Sequence, residues 1–233
     1  NFLKKKNVKK IYTWDDKKNK NNKKKFNLFK KALDIVDYIV ISPGISIEKT
    51  KFKLKLSRNN KKIITDLDLF YMQKIPVKSI VITGTNGKST ACKLTQHIFK
   101  TNRLDAQLGG NIGKPILDLK IGRKSVVIIE ASSFQLAYAK FIKPTLAVIL
   151  NITSDHLDWH NTITNYKNSK LKIFSKQDGN DIALLNNKKL IKLFRRKNYS
   201  SKLKIVKKDI LNPLFKKKIT NDYLISEPNL ESL

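Results

Sequence analysis

Eight consecutive residues, Thr83-Gly84-Thr85-Asn86-Gly87-Lys88-Ser89-Thr90, carry the densest chemistry in the chain. Glycines let a backbone curl until successive N–H groups face inward, where they can cradle phosphate oxygens. A helix starting at Lys88 would add its positive N-terminal end. Lys88 would reach the β- and γ-phosphates of a nucleotide, and the Ser89 hydroxyl would hold Mg2+. Gly84, Thr85, Asn86, Gly87 and Thr90 complete the expected nucleotide-binding set. The general phosphate-loop pattern wants a further glycine five residues before Gly87, and Ile82 stands there instead. A plain glycine-containing strand-to-helix turn is the other reading of these letters. Gly-Lys-Ser-Thr between an apolar run and a helical pattern favours the nucleotide.

Two more groups sit at positions that invite chemistry. Glu130 ends the apolar run Ser125–Glu130, where an acidic residue should be scarce. A carboxylate at the carboxyl tip of a strand beside a phosphate loop can bind Mg2+ directly or through water; an ordinary solvated Glu is the alternative. Asp155-His156-Leu157-Asp158-Trp159-His160 follows another apolar run and holds two of the three histidines. Mg2+ prefers oxygen, so the pattern alone leaves His156 open between ligand, structural residue and acid–base group. His97 reads as a helix-surface or packing residue. Lys170 is one of 44 lysines, and nothing in its spacing distinguishes it.

The elements that must position these groups follow from periodicity. Asp37–Ser42 and Lys61–Thr65 are short strand candidates, the first closed by the turn pair Pro43-Gly44. The polar Lys17–Lys25 tract is a loop or an exposed helix start. A helix over Asp66–Lys74 precedes Pro76, where a boundary separates a first domain, 1–76, from a second, 77–233. Beyond it, strands over Ser79–Thr83, Ser125–Glu130, Thr145–Asn151 and Asp181–Leu185 alternate with helices over Lys88–Lys100, Phe134–Lys140, Thr162–Phe174 and Asn187–Arg196. Short apolar strands alternating with helices indicate an α/β fold with a mainly parallel sheet covered on both faces. The tail from Ile210 is polar and weakly patterned.

Composition excludes several classes. No apolar run approaches the roughly 20 residues of a membrane helix, and the opening Asn1-Phe2-Leu3-Lys4-Lys5-Lys6 lacks the apolar stretch of a signal peptide. A single cysteine, Cys92, excludes a disulfide framework and a multi-cysteine zinc site, and fits a reducing, cytoplasmic setting. The net charge of +31 invites a nucleic-acid partner. Yet only five basic residues are Arg, the type favoured for bidentate phosphate and base contacts, and 22 Asn accompany the lysines. That is the imprint of AT-rich codons on solvated faces, so no nucleic-acid partner and no membrane are expected.

Further motifs spell a family. Gly84–Ser89 has a short Gly-Thr-Asn-Gly-Lys-Ser form, Gly109–Pro115 reads Gly-Gly-Asn-Ile-Gly-Lys-Pro, and Ser132–Leu136 reads Ser-Ser-Phe-Gln-Leu after Glu130. Asp155–His160 and the pair Tyr166 and Lys170 follow in order, and Trp14-Asp15-Asp16 and Ser42-Pro43-Gly44-Ile45 lie upstream. Over roughly Tyr12 to Phe174 the chain resembles the Mur ligases of peptidoglycan synthesis, and among them the D-glutamate-adding branch. Trp159 departs from the Arg common at its position.

The resemblance implies a partial Rossmann-like N-terminal domain that holds a UDP-sugar, with Asp15 and Asp16 near the uracil and ribose and Ser42, Pro43 and Gly44 near the diphosphate. It implies a central phosphate-loop domain that binds ATP along Gly84–Thr90, with Asn111 and Ser132 positioning the nucleotide-sugar substrate. One Mg2+ would be held by Ser89 and Glu130, and a second by His156 and a carbamylated Lys170. Lys88, His156 and Lys170 would be the catalytic residues. The implied partners are UDP-N-acetylmuramoyl-L-alanine, D-glutamate and ATP, for a monomeric enzyme of cell-wall building that works through an acyl phosphate. The family's first Gly-rich turn and its C-terminal amino-acid-binding domain have no counterpart, so the chain is expected to be a piece of a three-domain ligase, unable to complete ligation alone. A folate polyglutamylating ligase, a nucleic-acid-stimulated phosphate-loop ATPase and a non-catalytic binding remnant are the rival readings. The folate ligases usually carry Gly-Lys-Gly-Ser, whereas Ser89 directly follows Lys88 here.

Overall fold

The structure is a computed structural model that describes residues 2–6, 8–19 and 22–206; Asn1 and the tail from Ile210 lie outside them. The chain divides into two compact units, residues 1–66 and 67–233.

The first unit runs α1 (Phe2–Lys5), α2 (Lys23–Ile35), β1 (Ile39–Val40), α3 (Lys53–Arg58) and β2 (Ile63–Ile64). The Lys/Asn tract thus does begin a helix. The Asn22 side chain caps α2 by accepting from Lys25 N at 2.8 Å, which satisfies an N–H that has no intrahelical partner. β1 and β2 pair in parallel with Ile39 opposite Ile63. Each is shorter than its apolar run because the chain turns at once: Ile45 N donates to Ser42 O across Pro43-Gly44, and Asn60–Lys62 form a tight 3-10 turn. Trp14, Phe26, Phe29 and Phe52 pack together, with Phe26 and Phe52 stacked at 5.2 Å and the Lys51 ammonium over Trp14 at 4.6 Å.

The two units meet in sequence at α4 (Asp66–Met72), ten residues before the boundary expected at Pro76. The reason is burial. Leu67 and Phe70 join the apolar cluster of the second unit, with Val81, Ile129 and Phe174. Buried Asp68 ties α4 to that unit as well, accepting from Lys140 N at 2.8 Å and Phe141 N at 2.7 Å.

The second unit continues with β3 (Lys78–Thr83), α5 (Lys88–Thr101), β4 (Ala106–Gly110), β5 (Val126–Glu130), α6 (Ser133–Tyr138) and β6 (Leu146–Ile149). After these come α7 (Leu157–His160), α8 (Ile163–Leu171), β7 (Ile182–Leu185), α9 (Lys188–Arg196) and β8 (Lys202–Ile205). The sheet order is β4-β5-β3-β6-β7-β8, and every pairing is parallel. Successive side chains of a strand face opposite sides, and both sides are apolar here. Val81, Val127, Ile129, Ala147 and Leu185 face one cluster with Leu136, Phe174 and Phe194, while Ile80, Ile82, Val126 and Ile128 face the other with Ala91 and Cys92. Each fully buried aliphatic side chain contributes roughly 1.5–3 kcal/mol.

β4 and β8 are strands that periodicity did not indicate. In β4 the two glycines serve close approach. A Cβ on Gly109 would lie 2.6 Å from Lys114 O, and Gly110 has φ +107° with its hypothetical Cβ 2.4 Å from Glu130 O. Among the described residues no helix is long and apolar enough to cross a membrane.

Candidate active site

β3 lies between β5 and β6, so three carboxyl ends stand side by side. The register sets Ile82 opposite Glu130 and Thr83 opposite Ile149. The loop Gly84–Gly87 leaves β3 at this edge and enters α5 through Gly87, whose φ of 78° is a left-handed conformation that glycine adopts without strain. Ser89 and Thr90 lie in the first turn of α5. The Lys88 ammonium folds over the loop and donates to Gly84 O at 3.0 Å and Thr85 O at 2.8 Å.

Glu130 is 1% exposed. Its Oε2 accepts from Ser89 Oγ at 2.8 Å and its Oε1 from Asn111 Nδ2 at 2.7 Å. The same Asn111 donates its backbone N–H to Glu130 O at 2.9 Å, so the end of β5 and the turn after β4 lock together. Both carboxylate oxygens therefore meet neutral donors, and among the described residues no ammonium or guanidinium is within ion-pair distance.

Lys170, on α8 and 1% exposed, also directs its ammonium at the loop. It donates to Gly84 O at 2.7 Å, lies 3.4 Å from Thr83 Oγ1, and sits 4.7 Å over the Tyr166 ring. Thr83 Oγ1 itself donates to Ala131 O at 2.7 Å. Burial, reinforced by the nearby Lys88 charge, lowers the Lys170 pKa to about 7, so a large share of its amine is neutral near neutral pH.

The remaining wall is aromatic. Phe134 faces His156 at 4.7 Å and Trp159 at 5.1 Å, and stacks nearly parallel on His160 at 5.7 Å. His160 packs on Tyr166 at 5.2 Å and pairs its Nε2 with Ser133 Oγ at 3.0 Å. Burial first, then the Lys170 and His156 charges, push its pKa down to about 4. His156 caps α7 in the left-handed region at φ 50°, with its Nε2 3.3 Å from Asp155 Oδ2. The indole N–H of Trp159 is buried and has no hydrogen-bond partner among the described residues.

Six of the expected site residues, Gly84, Lys88, Asn111, Ser132, His156 and Lys170, line one cavity of about 110 Å3, and Ser133, Phe134 and Tyr166 complete it. That volume suits a phosphoryl-sized group rather than a whole drug-sized ligand. The Ser132 hydroxyl also caps α6, accepting from Gln135 N at 3.3 Å and donating to Gln135 Oε1 at 3.0 Å. Asp15, Asp16, Ser42, Pro43 and Gly44 lie in the first unit. Asp15 accepts from Lys17 N at 2.9 Å and Lys18 N at 3.1 Å, and these bonds lower its pKa. Asp16 pairs with Lys51 at 2.7 Å, which lowers its own, and accepts from the Trp14 indole.

Sequence reasoning missed Asn151. Its side chain accepts from Thr85 N at 3.1 Å and Asn86 N at 2.9 Å, and donates to Asn86 O at 3.1 Å. It missed Ser133 and Phe134 as well. An amide at the carboxyl end of a strand beside the loop strand was the available signal for Asn151, but it requires knowing that β6 neighbours β3.

A parallel sheet with a glycine-bearing loop opening onto a helix N-terminus, and a buried carboxylate beside it, is the arrangement of the phosphate-loop class of α/β proteins. The chain belongs to the Mur ligase family: its residues 82–224 match the Mur ligase middle domain. It is 41% identical over 152 residues to the UDP-N-acetylmuramoylalanine--D-glutamate ligase of Rickettsia bellii, covering 65% of this chain and 33% of that protein. It is 39% identical over 152 residues to the enzyme of the same name from Geobacter metallireducens, covering 64% and 33%. The chain thus spans about a third of the length of the curated relatives it matches. A solved structure of UDP-N-acetylmuramate:L-alanyl-gamma-D-glutamyl-meso-diaminopimelate ligase from Neisseria meningitides shares the fold, with TM-score 0.51, 15% identity, and coverage of 76% of this chain and 60% of that one.

Proposed function

We propose that the chain is the nucleotide-binding part of a cytoplasmic, monomeric ligase that adds D-glutamate to UDP-N-acetylmuramoyl-L-alanine at the expense of ATP. The observation that carries this reading is the convergence of Lys88, Asn111, His156 and Lys170 on one cavity beside buried Glu130, in a chain about 40% identical to D-glutamate ligases. The identity to D-glutamate ligases favours this over a folate polyglutamylating ligase or a nucleic-acid-stimulated ATPase.

Residues 67–233 would bind ATP along Gly84–Thr90. Asp15, Asp16 and Ser42–Gly44 of the first unit would take the UDP moiety, and Asn111 and Ser132 would position the nucleotide-sugar substrate. The L-alanyl carboxylate attacks the γ-phosphorus of ATP and ADP leaves, giving an acyl phosphate. The D-glutamate amine then attacks the activated carbonyl, phosphate leaves, and the amine gives up a proton. Lys88 and the N-terminal N–H groups of α5 neutralise the charge that gathers on the transferring phosphoryl, the main demand of such chemistry.

The donor set suits Mg2+ at Ser89 and Glu130, because a hydroxyl and a buried carboxylate with no ion-pair partner among the described residues are hard oxygen ligands. No group of three or more His, Cys, Asp or Glu converges among the described residues, so phosphates and water would complete the shell. His156 and Lys170 as an imidazole and an amine do not suit Mg2+. They fit a second ion once the Lys170 amine, neutral in large part, attacks CO2 and loses a proton to become an oxygen-bearing carbamate. The bound ions would supply charge neutralisation for the phosphates.

Calorimetry of Mg-ATP binding to this chain tests the nucleotide assignment, and absence of binding overturns it. Incorporation of labelled D-glutamate into UDP-N-acetylmuramoyl-L-alanine by the full protein containing this chain tests the activity. Glutamylation of a folate instead overturns it.

A further inference from the structure

We propose that Asn151 is a positioning residue for the nucleotide: it clamps the phosphate loop and takes up two of its N–H groups, so that the phosphates are received from Gly87 onward. The inference rests on the nucleotide-binding reading above. β3 and β6 stay in step beyond their ends, with Leu150 N donating to Thr83 O and Thr85 N to Asn151 O, both at 3.0 Å. This places the Asn151 side chain beneath the loop. Its Oδ1 accepts from both Thr85 N and Asn86 N, while its Nδ2 donates to Asn86 O.

Both functions are needed on one short side chain. Asp would keep the acceptor, lose the donor and set a negative charge under the phosphates. Ala would keep neither. A phosphate loop ordinarily offers successive N–H groups to its ligand. Here those of Thr85 and Asn86 are engaged by protein, and the N–H groups of Gly87, Lys88 and Ser89 remain, because the first turn of a helix has no intrahelical acceptors for them. Asn151 therefore sets where along the loop the phosphates sit, without touching them.

Amide exchange and chemical shifts followed by NMR on this chain test the idea. In nucleotide-free protein the Asn86 amide is expected to be protected. Mg-ADP should shift the Gly87–Ser89 amides and leave Asn86 nearly unmoved. In Asn151→Ala the Asn86 amide should exchange about tenfold faster or more, and the Thr85 amide, still bonded to the backbone carbonyl of residue 151, should stay protected. ADP affinity should fall about tenfold or more in the same variant. Asn151→Asp should keep Asn86 protected yet bind ADP at least as weakly, with part of that loss relieved by salt.

Wild-type ADP affinity in folded Asn151→Ala would show a merely structural clamp and overturn the proposal. So would an Asn86 amide that ADP shifts as strongly as Gly87, a result read on the wild-type protein even if the variant does not fold. A wild-type chain that binds no ADP would instead defeat the proposed function. The Asn86 exchange rate would still decide whether the clamp exists.

Discussion

On one side of the cavity, the phosphate loop, Glu130 and Asn111 are joined by single hydrogen bonds of defined partners. On the other, Phe134, His156, Trp159, His160 and Tyr166 lie ring against ring, with Ser133–His160, Asp155–His156 and Thr85–Tyr166 as polar pairs at their edges. The polar side is directional: remove one group and a specific partner loses its bond. The aromatic side works through area and burial, which are not directional. Damage to the first should appear as lost ligand affinity, and damage to the second as lost stability.

The largest expected effect is on the polar side. Lys88→Ala should weaken Mg-ATP binding by about 100-fold or more, read by calorimetry, because a charge-assisted contact to phosphate is lost. Unchanged affinity would remove Lys88 from the phosphate site. Glu130→Gln keeps the size and an acceptor for Ser89 but removes the charge. It should leave Mg-free nucleotide binding near wild type and reduce the Mg2+-dependent gain by roughly 10-fold. An unchanged Mg2+ dependence would place the ion elsewhere.

Phe134→Ala should sharpen the contrast, lowering unfolding free energy by about 1–3 kcal/mol in urea, since the ring bridges His156, Trp159 and His160. Retained stability would mean that the aromatic wall is not held by its own packing. The smallest effect is a pH slope. His160 has a pKa of about 4 when folded, against an ordinary value of 6.5. As pH falls through 6.5 the unfolded chain gains a proton that the folded chain refuses. Stability should therefore drop between pH 6.5 and 4 and level off below, by about 1–3 kcal/mol. His160→Phe should flatten that part of the curve, measured by denaturation at stepped pH; an unaltered slope would assign it to other groups.

Strand-to-helix alternation in the second unit was legible because both faces of the sheet are covered, which makes strands such as Ile80–Ile82 and Val127–Ile129 continuously apolar. β4 was not legible. Ala-Gln-Leu-Gly-Gly reads as a turn, and its glycines make sense only beside Lys114 O and Glu130 O. The boundary moved from Pro76 to residue 66 because the partners of Leu67 and Phe70 lie far along the chain. Glu130 could be suspected from its place at a strand end, whereas Lys170 stood out among 44 lysines only through family resemblance. Its burial and its carbonyl partner come from α8 crossing the loop.

By itself the sequence determined the local chemistry: Gly87 for a left-handed entry into α5, Lys88 and Ser89 one and two residues later, and apolar runs that must become buried strands. These depend on neighbours along the chain. Only the tertiary structure decided which strand ends stand together. The β5-β3-β6 order brings Glu130, the loop and Asn151 to one edge, and side-chain hydrogen bonds across 41 to 66 residues then fix their geometry. Contacts of that span are set by packing of the whole sheet, so no local pattern can spell them.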